Sequence, residues 1–63
     1  MREYVVGYFN NVATKDDFVI LATMDSNSVA MFVRDSFNEV GMTTPAVMLH
    51  KSEVPKKYRF SEM

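Results

Sequence analysis

Apolar and polar positions alternate with a period of two along three stretches of this chain and recur with a helical period along one. Residues 4–9 put Tyr4, Val6 and Tyr8 on one side and Val5, Gly7 and Phe9 on the other, the pattern of a strand with apolar side chains on both faces. Residues 18–24 alternate Phe18, Ile20, Ala22 and Met24 against Val19, Leu21 and Thr23, and residues 46–50 alternate Ala46, Met48 and His50 against Val47 and Leu49. Between the first two runs, Asn10, Asn11, Lys15, Asp16 and Asp17 supply residues that accept turn conformations, so these strands form a hairpin.

The helical stretch follows the second strand directly. Asp25, Ser26, Asn27 and Ser28 offer side-chain acceptors for free backbone N–H groups, which places the N-cap at Asp25 or Ser26. The helix is expected to run to about Val40, because Gly41 can adopt the left-handed cap conformation and Pro45 blocks continuation. At ~100° per residue, Val29, Ala30, Phe32, Val33, Phe37 and Val40 fall on one broad arc, with Met31 opposite among Arg34, Asp35 and Asn38.

These elements predict an α+β fold, β-β-α-β. The two strands flanking the helix are expected to run parallel to one another, which places the third beside the first. The expected sheet has three antiparallel strands in spatial order 2-1-3, with one helix on one face. Residues 1–52 form the expected domain. Residues 53–63 are a basic and aromatic tail or a short edge strand, since Tyr58 and Phe60 alternate with Lys57 and Arg59.

One helix covers one face of such a sheet, which leaves the other face open. Two alternating sets are candidates for it: Val5, Phe9, Val19, Leu21, Val47 and Leu49, or Tyr4, Val6, Tyr8, Phe18, Ile20 and Met48. Monomers rarely expose a contiguous apolar patch beyond ~300–600 Å² without a use. A homodimer through the sheet is therefore expected, or a heterologous protein target. The alternative is that Val54, Tyr58 and Phe60 fold back over the face.

Length sharpens this expectation, because 63 residues lie near the size where one core is only marginally stable and an association partner helps. Cysteine is absent, so neither a disulfide framework nor a thiolate zinc site supplies stability. No apolar run approaches the ~20 residues of a membrane-spanning helix. The opening Met1-Arg2-Glu3-Tyr4 lacks the layout of a signal peptide. A complete, cytoplasmic gene product is the expectation.

Charge divides the chain: residues 1–50 carry net −3 and residues 51–63 net +2. An acidic body argues against a dominant nucleic-acid face. Lys51, Lys56, Lys57 and Arg59 with the interleaved Tyr58 and Phe60 keep nucleic-acid binding as the alternative function, since cations grip phosphates and aromatic rings stack on bases. Catalytic constellations are missing. His50 is the single histidine and has no second His or Cys to share a metal with. Asp35 and Glu39, four apart on the helix, read as a solvated face, and Asp16-Asp17 as turn chemistry. Neither Gly7, inside a strand, nor Gly41, after a helix, belongs to a phosphate loop. No enzyme activity, cofactor or metal is expected.

The element order in a cysteine-free chain of this size resembles, in architecture alone, small bacteriophage-encoded proteins that bind and redirect host enzymes. The resemblance implies a regulator or inhibitor acting by protein–protein contact. The expected partner-binding residues are Met31, Arg34, Asp35 and Asn38 on the outer helix face, and Lys56, Lys57, Tyr58, Arg59 and Phe60 at the C-terminal end.

Overall fold

Alternation produces the first hairpin. In the computed structural model, which describes residues 2–41 and 43–61, β1 (Tyr4–Asn11) and β2 (Asp16–Met24) pair antiparallel. The connecting turn closes with the Lys15 N–H donating to the Val12 carbonyl at 3.3 Å. Lys15 and Asp17 both sit at positive φ, 52° and 57°. Asp tolerates that region better than most side chains, and Asp17 is held there by Asn10, whose Nδ2 donates to Asp17 Oδ2 at 3.0 Å.

Helix α1 (Asn27–Glu39) begins where its capping chemistry places it. Ser26 has an extended backbone and its Oγ accepts from the Val29 N–H at 3.4 Å. Val40 is the C-cap and Gly41 follows at φ 84°, its N–H donating to the Asn38 carbonyl at 3.2 Å. β3 (Val47–His50) pairs antiparallel with β1 and leads into a 3-10 turn (Lys51–Glu53), and the last element among the described residues is β4 (Tyr58–Phe60), parallel to β2. The sheet order is β3-β1-β2-β4. This is the expected 2-1-3 arrangement with the C-terminal edge strand added outside β2, making the sheet four-stranded and mixed.

β1 is the centre of the molecule. Val5 and Val6, neighbours in sequence, are both 0% exposed and point to opposite faces. On the helix side Val6, Met24, Ala30 and Ala46 form one buried cluster, flanked by Tyr4, Leu21, Ala22, Val33, Phe37 and Met48. On the other side Val5, Phe18 and Ile20 form a second, flanked by Phe9, Val47, Leu49 and Val54.

The expectation of an uncovered face does not hold. β3 and β4 lie at opposite edges of the sheet, so residues 51–57 must cross it. Val54 packs on Val5, Phe18 and Ile20, which places that crossing on the face away from the helix. Ile20 is 2% exposed and Phe18 0% within a single chain. The fold-back of Val54 provides the cover that the sequence reading gave first to a second copy or a foreign protein.

Neither of the two expected side-chain sets survives intact, because β2 changes phase. Tyr4 pairs Met24 and Val6 pairs Ala22, but Gly7 pairs Ile20, so the register slips by one residue at a β-bulge containing Leu21. Phe18 and Ile20 therefore join Val5 and Phe9, while Leu21 joins Tyr4 and Val6. Gly7 permits this. A Cβ there would fall on the Val19 carbonyl oxygen and lie 2.9 Å from Phe18 Cζ, so the Phe18 ring occupies the space a side chain would need. Phe18 also meets Phe9 at a centroid distance of 4.9 Å.

Candidate interaction surface

The helix presents more apolar surface than the sheet can cover. Ala30 is buried and Val33 and Phe37 are half-buried against β1 and β2, but Val29, Phe32 and Val40, on the same predicted arc, are 48%, 73% and 83% exposed. The expected apolar arc is split, one half packed and one half facing outward. At ~100° per residue, Val29, Phe32 and Val40 lie along one flank of α1.

Beneath that flank the sheet extends past the helix. An open groove of about 610 Å³ runs between Tyr8 and Leu21 on the sheet and Phe37 and Val40 on the helix, rimmed by Asn10, Thr43, Thr44 and Ser61. Its floor is apolar and its rim carries hydroxyl and amide groups, a composition that suits an apolar side chain anchored beside a few directed hydrogen bonds. A smaller polar depression of about 310 Å³ adjoins it, lined by Tyr8, Val19, Arg59, Phe60 and Ser61.

The opposite flank of the helix holds the residues the sequence singled out. Met31 is 43% exposed. Arg34 and Asp35 pair with each other, Nη2 to Oδ1 at 3.0 Å and Nε to Oδ1 at 3.1 Å. Asn38 serves the fold: its Oδ1 accepts from the Ala46 N–H at 2.7 Å and its Nδ2 donates to the Ala46 carbonyl at 3.3 Å. That pair of bonds places this flank beside β3. Lys56, Lys57, Tyr58, Arg59 and Phe60 lie at or just before β4, all exposed, with Tyr58 at 42% and Phe60 at 58%. The first cluster thus lies on α1 toward β3, while the second lies on β4, at the edge of the sheet opposite β3. They form no common site.

Arg59 is engaged as well, donating from Nη2 to Asp17 Oδ2 at 3.1 Å, an exposed pair that ties β4 to the hairpin. His50 has a structural position. Its Nδ1 lies 2.9 Å from Ser52 Oγ, its backbone N–H donates to Glu53 Oε1 at 3.0 Å, and its ring meets Tyr4 edge-on at 5.7 Å. Among the described residues no three potential metal-ligating side chains converge, and no helix is long and apolar enough to cross a membrane.

Sequence reasoning missed Val29, Phe32 and Val40 as surface residues, and the groove-lining Tyr8, Leu21, Phe37 and Val40. One signal was present. An apolar arc reaching from Ala30 round to Phe32 is wider than a single sheet face can bury. No protein-family model, curated protein or solved structure matches this chain.

Proposed function

We propose that this chain is a non-enzymatic protein-binding module, a cytoplasmic regulator or inhibitor that acts by occupying the surface of another protein. The observation that carries this reading is Phe32, a large aromatic residue 73% exposed on the same flank of α1 as the exposed Val29 and Val40, of which Val40 also lines the apolar groove. Buried aromatic anchors dominate the energetics of protein interfaces, and an exposed one on the helix flank whose Val40 borders a hydroxyl-rimmed groove supplies an anchor near a receptor. A foreign protein is favoured over a second copy joined through the sheet, because Val5, Phe18 and Ile20 are already buried within one chain.

The test is site-specific photocrosslinking in the source cells, with a photoreactive phenylalanine analogue in place of Phe32 and, as control, of Val12 at the hairpin tip. The reading expects one discrete protein adduct from position 32 that disappears on Val29→Ser and Val40→Ser substitution. Equal, diffuse labelling from both positions contradicts it.

Nucleic-acid binding through Lys56, Lys57, Tyr58, Arg59 and Phe60 is the second reading, favoured by the exposure of both rings beside three cations. It requires salt-dependent binding to DNA or RNA. A flat titration with both at low salt removes it.

A further inference from the structure

We propose that the outer edge of β4 is a strand-addition site that takes an extended segment of the partner protein, with acidic and apolar residues in alternation. The inference rests on the protein-binding reading above and adds how and by what the partner is held. It begins from an inequality between the two edges of the sheet.

The β3 edge is closed. The Lys51 N–H donates to the Glu3 carbonyl, and with the β1–β3 register this turns the backbone groups of Val47 and Leu49 toward β1 and those of Ala46, Met48 and His50 outward. Asn38 then takes both groups of Ala46, and Glu53 takes the N–H of His50. Met48 and the His50 carbonyl are left open, but they lie between the occupied Ala46 groups and the occupied His50 N–H, and a further strand cannot form a ladder there without displacing both side chains.

The β4 edge has no such cover among the described residues. The Ser61 N–H donates to the Ile20 carbonyl at 2.8 Å, and the parallel register pairs Val19 with Arg59 and Ile20 with Phe60. The alternation of a parallel ladder then turns the groups of Arg59 and Ser61 toward β2 and those of Tyr58 and Phe60 outward. Two residues in succession along that edge each present an N–H and a carbonyl, which is what an added strand pairs with.

Side chains define the occupant. Tyr58 and Phe60 share one face and pack edge-on at 5.9 Å, so alternate residues of an added strand would lie against aromatic rings. Arg59 is on the other face, and Lys56 and Lys57 stand at the entrance, so the intervening residues meet cations. A second copy of β4 in antiparallel pairing about Arg59 would set Arg59 against Arg59, an unfavourable like-charge pair. Nucleic acid meets only three cations here, one already held by Asp17, and uses none of the backbone edge.

The experiment pans a random eight-residue peptide display library on the intact chain and measures selected peptides by fluorescence anisotropy. The expected peptides alternate Asp or Glu with apolar residues and lack proline. Phe60→Pro, which removes an outward N–H and leaves the β2–β4 bonds in place, weakens them about tenfold or more. Lys56→Glu with Lys57→Glu weakens them similarly, most at low salt, and provides the reading if the proline variant fails to fold. Phe32→Ser leaves their binding unchanged. Any of these results overturns the proposal: no selected peptide; peptides without acidic residues; peptides lost on Phe32→Ser alone, which would leave the protein-binding reading standing; or a dimer that Phe60→Pro returns to monomer. A single-stranded twelve-nucleotide probe that binds this edge in place of the peptides also overturns it.

Discussion

Asn38 and Ala46 exchange two hydrogen bonds, Oδ1 accepting from the Ala46 N–H at 2.7 Å and Nδ2 donating to its carbonyl at 3.3 Å. The side-chain amide of a helix residue thereby does for Ala46 what a neighbouring strand would do. It fixes the return of the chain from α1 into β3 and closes the edge of the sheet at that point. Ala46 is itself 3% exposed, so both backbone groups depend on this partner. Asn38→Ala is expected to lower stability by about 1–3 kcal/mol, the cost of leaving buried polar groups unpaired. Met31→Ala on the same flank should change it by less than ~0.5 kcal/mol. Urea denaturation of both variants measures the difference.

Gly7 and Phe18 are as closely interdependent. A methyl at position 7 would meet the Val19 carbonyl oxygen and the Phe18 ring, and the bulge has nowhere to move because Val6 on one side and Ile20 on the other are buried. Gly7→Ala is expected to cost several kcal/mol, about 3 or more as for severe overpacking. In a domain of this size that suffices to lose cooperative unfolding, which near-ultraviolet circular dichroism of the Tyr and Phe side chains would register.

This bulge marks the limit of what could be read from the residues alone. The two hairpin strands and the helix with its Ser26 cap and Gly41 stop follow from local periodicity and capping chemistry, and the position of β3 beside β1 from the crossover rule for a strand–helix–strand unit. The side-chain partners in β2 do not, because an alternation that reads Phe18, Ile20, Ala22, Met24 without interruption crosses from one face to the other at Leu21. The slip is recorded only in the absence of a side chain at Gly7, on a different strand. Val54 was similarly ambiguous, since a single apolar residue before Pro55 fits a loose tail as well as a strap across the sheet. The candidate site suffered most. Periodicity put Phe32 and Val40 on one arc with Ala30, Val33 and Phe37, an arc too wide for one sheet face, and the packed sheet shows which part lies beyond it.

Asp17 combines a strained backbone with two partners. At φ 57° it accepts from Asn10 at 3.0 Å and from Arg59 at 3.1 Å. The Arg59 pair is exposed on both sides, so Arg59→Gln is expected to cost under ~1 kcal/mol and to depend little on anything but salt. Asp17→Ala should cost more, about 1–2 kcal/mol, because alanine lacks both the local hydrogen bond and the tolerance for positive φ. Thermal midpoints of the two variants at low and high salt separate the backbone contribution from the charge contribution.

Phe32 is expected to be dispensable for folding. At 73% exposure it contributes little buried area, so Phe32→Ser should shift stability by less than ~0.5 kcal/mol while removing partner contact. Phe18→Ala, by contrast, empties the second cluster and should cost about 3–5 kcal/mol. The pair distinguishes an aromatic residue held for recognition from one held for the core.

The strap across the sheet covers Val5, Phe18 and Ile20 within one chain, and the absolute mass in solution tests most directly whether that cover suffices. Light scattering on a sizing column, over about a hundredfold range of concentration, should give a constant 7.2 kDa. A stable species of about twice that mass at the lowest concentration would contradict the account, and would return the apolar surface of this chain to a copy of itself.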